Sequence, residues 1–427
     1  MRRIHAGFGL FFGLWVGCME YNEATLEPVP SGSARLDKYV AVGNSLTAGV
    51  QNGALYEEAQ QYSYAALLAR QMRVADFQMP LVSSPGIGNR IEVRNFNPIT
   101  LTVNTAQGQP KNAGLARPYD NLGVPGAVLA DYLNADNGLS VRAQQNPYYA
   151  LVLRGANSMH QLVTQLRPTL ITFWLGNNDV LGYVTSGGVR PFVPADVFDA
   201  LYRQTAAALR QTGASVVVAN IPSVTAIPFV TYLNLTLEQS GQLVREGNSY
   251  RLRTPQGNLP IYIQTAQGVR TMTTNDFLLL SAQAYLASFN PAQGDAVTPQ
   301  RPIPTPYVLD ASELQTASAL VAAYNQTIAR EAQANGFALV DIFSEFNQIV
   351  LTFFASGGKA GITEDGVTLR PVPGELFSFD GVHPSNLGHA IVANRFIAAI
   401  NTKFGAQIPR IHLRTIPRGI PIAVGAQ

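Results

Sequence analysis

The chain has 427 residues, of which 47% are hydrophobic and only 13% are charged, and its formal net charge is +2. This composition is typical of a globular protein with a large core, and the length allows about two or three domains. The sequence contains no basic stripe or lysine cluster, so the charge distribution gives no reason to expect binding to a nucleic acid.

The amino terminus carries an export pattern. Arg2 and Arg3 precede an apolar run, 6–16, which is too short to span a bilayer and has the length of a secretory signal. The one cysteine, Cys18, ends "LWVGC", which resembles the lipobox of bacterial lipoproteins, where this cysteine is lipidated. We therefore predict a lipoprotein-type signal over 1–18 and a mature chain without disulfides. The alternative is a structural cysteine at the end of a membrane anchor.

The segment after the signal is predicted to be a flexible tether. Residues 19–36 are polar, acidic and rich in Pro and Ser, as linkers are. The residue after Cys18 is Met19 rather than an aspartate, and this resembles the outer-membrane sorting pattern of Gram-negative lipoproteins. The expected location is the bacterial cell envelope, with a lipid on Cys18 anchoring the exported protein to the outer membrane.

The first motif of the body is "LDKYVAVGNSLTAG" at 36–49, which is typical of a buried strand followed by a glycine turn. Residues 40–42 are the apolar strand, Gly43 permits the turn, and a helix is predicted over 46–55. Active sites of open α/β sheets lie at the carboxyl ends of strands, so Ser45 is placed for chemistry. Taken alone, this serine also fits a helix N-cap.

A surface insertion is predicted after a helix at about 64–72. The segment from about 73 to 118 is dense in Gly, Pro and Asn, and its alternating stretch at 91–105 indicates a hairpin. The string "GIGNR" within it is not a dinucleotide fingerprint, since it neither follows a strand nor opens a helix.

Two further strand ends carry distinctive turns. The block "NLGVPGA" places Gly126 before a predicted helix at 128–132, and a glycine there lets a backbone N–H point into a cleft. The stretch 169–175 is predicted to be a central parallel strand, because it is apolar without alternation. It ends in "GNND" at 176–179, which also fits a plain Asx turn.

The strand–helix alternation of a parallel sheet continues with a helix at about 198–211 and a strand at 215–220, and then breaks. The stretch from about 225 to about 309 is too long for a structureless loop, so an inserted subdomain is predicted. Its apolar side chains fit either a cap over an apolar binding site or a small core of the insert itself. These side chains are Phe229, Tyr232, Leu233, Phe277 and Tyr285.

The last part of the body returns to the same alternation. A long amphipathic helix is predicted over 311–335, then a strand at 337–342 and an apolar helix at 346–358 that lines the cleft. Ser385 is predicted to cap a final helix at 387–400. The Pro-rich tail, 405–427, has no assigned role.

Only one of the five histidines is placed to act as a general base. The others lie in the signal, in predicted helices or in the tail: His5, His160, His389 and His412. His383 sits in a turn with Asp380 three residues upstream. That spacing can bring the carboxylate to the Nδ1–H of the imidazole, so that Nε2 is free to accept a proton. By themselves, these residues also fit a simple turn.

Four blocks, "VGNSLTAG", "NLGVPGA", "GNND" and "DGVHP", occur in an order that resembles the SGNH hydrolases, also called the GDSL esterase/lipase family. The resemblance predicts a hydrolase domain over 37–404 that includes both insertions. Asn44 departs from the aspartate of the family name, at a position that shapes the turn. The implied fold is a three-layer α/β/α, flavodoxin-like arrangement with a mostly parallel sheet.

The resemblance also implies a mechanism. Ser45 would attack an ester carbonyl, His383 would carry the proton to the leaving alcohol, and Asp380 would hold the imidazole. The oxyanion would be met by the backbone N–H groups of Ser45 and Gly126 and by the side-chain amide of Asn178. No metal ion and no cofactor are implied. The expected partners are a small-molecule or lipid ester and the membrane that holds the lipid anchor.

Two other classes of function stay open. Asn178, Asp179, Asp380 and His383 are also metal ligands, as in a metal-dependent phosphoesterase, although two-metal sites use more carboxylates and histidines. A non-catalytic envelope lipoprotein could keep the fold for binding. For an esterase, the aromatic insert and the envelope location favour acyl esters of lipids, while acetylated polysaccharide and peptidoglycan esters fit the same site.

Overall fold

The computed structural model describes residues 28–136, 145–289 and 297–426. The predicted signal, the lipidation site Cys18 and the first half of the predicted tether lie outside the described residues. Across the three described segments, no helix combines the length and the apolar character that crossing a membrane requires.

Strands and helices alternate through most of the chain. The strands are β1 (Tyr39–Gly43), β2 (Ala54–Leu55), β3 (Ile87–Gly88), β4 (Arg90–Phe96), β5 (Ile99–Asn104), β6 (Asn121–Gly123), β7 (Leu170–Trp174), β8 (Ser215–Ala219), β9 (Leu243–Glu246), β10 (Ser249–Thr254), β11 (Gly257–Pro260), β12 (Tyr262–Thr265), β13 (Gly268–Thr271), β14 (Phe277–Leu278), β15 (Val308–Leu309), β16 (Ala338–Val340), β17 (Ile362–Glu364) and β18 (Val367–Leu369). The helices are α1 (Ser45–Ala48), α2 (Glu57–Gln60), α3 (Tyr64–Gln71), α4 (Pro147–Leu153), α5 (Met159–Leu166), α6 (Asn178–Thr185), α7 (Ala195–Gln211), α8 (Pro228–Gln239), α9 (Ala282–Leu286), α10 (Ala311–Asn335), α11 (Ile342–Ala355) and α12 (Asn386–Phe404).

A parallel sheet with the strand order β6–β1–β7–β8–β16 forms the centre of the fold. Numbered along the chain, these strands follow the order 2-1-3-4-5, which is the flavodoxin-like order. The middle strand is β7, and all of its residues are buried, as predicted from its apolar sequence. The register places Val42 opposite Leu122 on one side and Phe173 on the other. The predicted fold class is confirmed.

Helices cover both faces of this sheet. Phe173 of β7 contacts Tyr202 of α7, with 6.2 Å between ring centroids. The next residue, Trp174, contacts Tyr64 of α3 at 5.6 Å, and Tyr64 stacks on Phe396 of α12 at 4.7 Å. Because successive side chains of a strand point to opposite faces, α7 lies on one face and α3 and α12 lie on the other. The fold therefore has three layers.

The turn after β1 is tighter than the sequence predicted. The helix expected over 46–55 ends at Ala48, because Gly49 adopts a left-handed conformation with φ of 87° and closes the helix. Gly43 is needed just before it, since an added Cβ would lie 2.8 Å from the Trp174 carbonyl oxygen. Likewise, the helix expected at 128–132 is a single 3₁₀ turn, Leu129–Tyr132.

The two predicted insertions differ in how they join the body. In the first, β4 and β5 form the expected hairpin, and the carboxyl-terminal tail runs beside β4 with Ile422 paired to Val93. The second contains its own cluster of buried side chains, among them Leu233, Tyr250 and Ile263. Tyr285 packs against this cluster, whereas Phe229 and Phe277 lie against the main core.

Candidate active site

Ser45 lies at the carboxyl end of β1, where the chain turns into α1, and is 8% exposed. The preceding residue, Asn44, shapes this turn by accepting a hydrogen bond from Leu46 N at 3.0 Å. The Asn44 amide also donates to Asn177 Oδ1 at 3.2 Å. Asn44 therefore ties the serine turn to the turn at the end of the neighbouring strand β7.

That second turn, residues 176–179, is named the Asn178 turn here. Asn178 Nδ2 donates to the carbonyl oxygen of Ala127 at 2.9 Å. Ala127 follows Gly126, which is exposed and has φ of 84° in the turn after β6. One hydrogen bond thus joins the strand ends that carry two of the three predicted oxyanion donors.

The predicted base and its orienting carboxylate come from a different part of the chain, residues 378–384, named the Asp380 loop here. His383 Nδ1 and Asp380 Oδ2 are 2.9 Å apart. The carboxylate also accepts from the backbone N–H groups of Val382 and His383, each at 2.9 Å, and of Gly53 at 2.8 Å. Burial alone would raise the pKa of Asp380, but the His383 charge and these hydrogen bonds outweigh it and lower the pKa to about 2.

The turn at Asn52 and Gly53 holds the Asp380 loop, and the sequence analysis missed it. Asn52 N donates to Ser378 Oγ at 2.9 Å, and Asn52 Oδ1 accepts from Phe379 N at 2.9 Å. Asn52 Nδ2 donates to Tyr56 Oη at 2.9 Å. The Asn–Gly dipeptide is a recognisable turn signal, but nothing local in the sequence indicates which loop the turn contacts.

One cavity brings together Ser45, Asn178 and His383, all three of which line it. Asp380 lies behind the imidazole, and its side chain is 11% exposed. Gly126 is not among the described lining residues, but its neighbour Ala127 is hydrogen-bonded to Asn178. Within the described residues, Ser45 Oγ forms no hydrogen bond with His383, and such bonds are often longer in a free enzyme than in its substrate complex.

Most of the other cavity walls are apolar, and α11 and α12 contribute four residues each, so α11 lines the cleft as predicted. From the stretch predicted as the second insertion, 225–309, the described lining includes Ile227 alone. The same stretch touches the Asp380 loop from outside, because Phe229 N donates to the Gly381 carbonyl oxygen at 2.9 Å. These contacts favour an insert with its own core over a cap on the cavity.

The other described histidines do not line this cavity. His389 is buried in α12, where its Nδ1 accepts from Tyr64 N at 3.3 Å. Burial, and then the nearby His383, lowers the pKa of His389 to about 3, so its imidazole is neutral. His160 contacts Tyr132, and His412 lies in the tail near Asp365.

Asp179, next to Asn178, is buried with little support for a negative charge. Its Oδ2 accepts from Leu129 N at 2.9 Å, and burial, followed by the nearby Asp131, raises the pKa to about 7. The carboxylates at positions 179 and 380 are therefore held by separate partners. Within the described residues, no three His, Cys, Asp or Glu side chains are grouped so that they could hold a metal ion.

Comparison with known proteins gives one family match, the GDSL-like lipase/acylhydrolase model, over residues 39–396. Among solved structures, the chain is similar to LAE5, an alpha/beta hydrolase enzyme from the metagenome of Lake Arreo, Spain, with 14% identity, 86% and 96% of the two chains covered and a TM-score of 0.37. The acetyl xylan esterase AlAXEase matches with 14% identity, 85% and 98% coverage and a TM-score of 0.35. The acetylxylan esterase Axe2 from Geobacillus stearothermophilus matches with 13% identity, 87% and 96% coverage and a TM-score of 0.37. No curated protein sequence matches the chain.

Proposed function

This chain belongs to the GDSL-like lipase/acylhydrolase family and is a carboxylic ester hydrolase, and we propose that Ser45, His383 and Asp380 perform the hydrolysis. The observation that carries this proposal is the His383–Asp380 pair at 2.9 Å, whose imidazole lines the same cavity as Ser45. The two groups come from opposite ends of the chain, yet both line one largely apolar cavity.

In the proposed reaction, Ser45 Oγ forms a bond to the ester carbonyl carbon while His383 Nε2 accepts the hydroxyl proton. The tetrahedral intermediate then expels the alcohol, which takes that proton from His383. Water, deprotonated in the same way, attacks the acyl-enzyme. Collapse of the second tetrahedral intermediate releases the carboxylic acid, and Ser45 Oγ takes back the proton from His383. Asp380 stays ionised throughout and fixes the imidazole through Nδ1, in keeping with its lowered pKa.

The oxyanion would be held by the backbone N–H groups of Ser45 and Gly126 and by Asn178. An amide NH₂ group has two protons, and the Ala127 carbonyl takes one of those on Asn178 Nδ2. The second proton is the one available to an oxyanion. The bond to Ala127 fixes the orientation of the amide before substrate arrives, which is what makes such a donor effective in the transition state.

The test compares the purified protein with its Ser45→Ala variant on p-nitrophenyl esters and with a fluorophosphonate probe. We expect the variant to lose labelling and about 10⁶-fold in kcat, the usual scale for removing a serine nucleophile. Labelling or turnover that persists in Ser45→Ala at the wild-type level would overturn the assignment of the nucleophile.

We also propose that the enzyme works in the cell envelope, anchored by a lipid on Cys18. Support comes from the sequence pattern of Arg2, Arg3, an apolar run and Cys18. Expressed in a Gram-negative host with radiolabelled palmitate, the wild type should carry the label and fractionate with the outer membrane. Cys18→Ser should lose the label. A wild-type protein that stays unlabelled and soluble would contradict the anchor.

A further inference from the structure

The cavity beside Ser45 extends well beyond the space that the reacting groups need. Its volume is about 110 Å³, and its lining continues from Ser45 past the reacting groups to Arg395. Its polar lining residues form two groups. Ser45, Asn178 and His383 lie at the reacting end with their neighbours Asn44 and Asn177, and Glu345 and Arg395 form the second group.

Between these two polar groups, the walls are faces of two helices. The lining residues of α12 are Gly388, Ile391, Val392 and Arg395, which share one helix face because they are three or four positions apart. Those of α11 have the same spacing: Ile342, Glu345, Phe346 and Ile349. From Gly388 to Arg395 the helix rises about 10 Å. The cavity is therefore a slot that runs along α12, away from the catalytic loop.

An ion pair between the two helices lies at the Arg395 end of the slot. Arg395 Nε donates to the two carboxylate oxygens of Glu345 at 2.7 and 2.6 Å. Arg395 also donates to Glu364, so its charge has a second partner. Separating the two charges of a partly buried ion pair costs free energy, and an apolar group inserted between them would separate them. The pair therefore resists entry of a longer apolar chain.

We propose that this slot binds the acyl chain of the ester, and that the Glu345–Arg395 pair limits the chain to medium length. The proposal rests on the proposed function, because it assumes an acyl group on Ser45. The side walls between the two polar groups are apolar side chains such as Phe346 and Ile349. These walls lack the hydrogen-bonding groups that recognise a sugar. An acetyl group would leave the slot unfilled, whereas a medium acyl chain would bury its methylene groups there.

The first experiment measures kcat/KM for p-nitrophenyl acetate, butyrate, octanoate and palmitate. Burial of each methylene group contributes about fourfold, so octanoate should exceed acetate by at least about 100-fold, and palmitate should fall below octanoate. Ile349→Trp, which fills the slot, should lower the octanoate-to-acetate ratio of kcat/KM by at least about tenfold. Leu351→Trp is the matched control, because Leu351 lies on the same helix and is 66% exposed.

A second variant tests the Arg395 end. Glu345→Ala removes one carboxylate but leaves Arg395 with Glu364, and it should raise the palmitate-to-octanoate ratio by at least about tenfold. Thermal melting compared with the wild type checks that the variant is folded. If Glu345→Ala is unfolded, Glu345→Gln, which keeps the size of the side chain, replaces it.

The failure of this inference can be told apart from that of the proposed function. Turnover that depends on Ser45, is highest on acetate and does not change in Ile349→Trp would overturn the slot and leave the esterase intact. A measurement without turnover completes the test, because Trp174 lines the slot. Octanoate should change the tryptophan fluorescence of Ser45→Ala, and no change up to millimolar octanoate would overturn the slot even if no ester is hydrolysed.

Discussion

The Asp380 loop and the Asn178 turn each carry an aspartate, and the two carboxyl groups are shifted in opposite directions. Burial raises the pKa of both. At Asp380 it is outweighed by His383 and by three backbone N–H donors, and the pKa falls to about 2. At Asp179 a single donor, Leu129 N, faces one oxygen, and the pKa rises to about 7.

The difference comes from the neighbours of each carboxylate, because the His383 charge and the hydrogen-bond donors at Asp380 outweigh a burial effect that dominates at Asp179. Asp179 Oδ1 has no hydrogen-bond partner in the part of the chain that the structure describes, and Asp131 adds repulsion. The Asp380 loop therefore stores a negative charge that orients a base. The Asn178 turn instead presents a neutral amide to the cavity, and its aspartate is protonated over part of the physiological pH range.

The largest expected effect comes from removing the charge in the Asp380 loop. Asp380→Asn keeps the shape of the side chain but favours the wrong tautomer of His383, so kcat should fall by about 10⁴-fold. Steady-state kinetics on the best p-nitrophenyl ester measures this, with circular dichroism as the folding control. A loss below tenfold would show that the ionised carboxylate is not needed.

The Asn178 turn should contribute less, because it supplies one of three proposed oxyanion donors. Asn178→Ala should lower kcat by about 10²–10³-fold, or about 3–4 kcal/mol in the barrier. The circular dichroism spectrum should not change. If the variant unfolds instead, Asn178 is a structural turn residue, and the hydrogen bond to Ala127 is its main role.

The raised pKa of Asp179 predicts a pH-dependent stability that the Asp380 loop does not share. A carboxyl group whose pKa is raised on folding contributes stability that is fully present below its ordinary pKa, near 3.8, and is lost as the pH rises through about 7. Asp179→Asn has no carboxyl group at this position to ionise. The free energy of unfolding of the variant, relative to that of the wild type, should therefore increase from pH 4 to pH 8, by at most about 4 kcal/mol.

Urea denaturation of both proteins across that pH range measures the difference. Other titrating groups are common to the two proteins and cancel in the comparison. The contribution of Asp380 to stability depends on pH in the opposite direction. Because the pKa of Asp380 is lowered, its contribution is present above its ordinary pKa and is lost only as the pH falls toward about 2. Parallel curves for wild type and Asp179→Asn would mean that Asp179 is ionised in the folded protein.

The smallest expected effect concerns Asn52, which positions the Asp380 loop without facing substrate. Asn52 has φ of 55°, so Asn52→Gly keeps the backbone conformation and removes the acceptor for Phe379 N together with the donor to Tyr56 Oη. We expect kcat to fall by about tenfold with little change in KM, because only the orientation of His383 is relaxed. Asn52→Asp retains an acceptor oxygen and should restore most of kcat. Equal losses in both variants, or a change in KM alone, would contradict the positioning role.

The strands and the turns at their ends could be predicted from the sequence because their signals are local. The apolar run of β7 and the Gly43 turn reflect burial and backbone freedom, which depend on a few neighbouring residues. The Asp380–His383 pair spans three positions and was predicted for the same reason. The prediction failed where local signals conflicted. The helix predicted over 46–55 ends at Ala48, because Gly49 stops it.

The sequence by itself determined the class of sheet, the order of the four motif blocks and the residue types available as nucleophile, base and oxyanion donor. Only the tertiary structure decided which groups hold them in place. Gly53 and Asp380 are 327 positions apart, and Glu345 and Arg395, which lie at one end of the slot, are 50 apart. Such contacts depend on how helices and loops pack over the sheet, and hydrophobic periodicity fixes which face of a helix is buried but not what it is buried against.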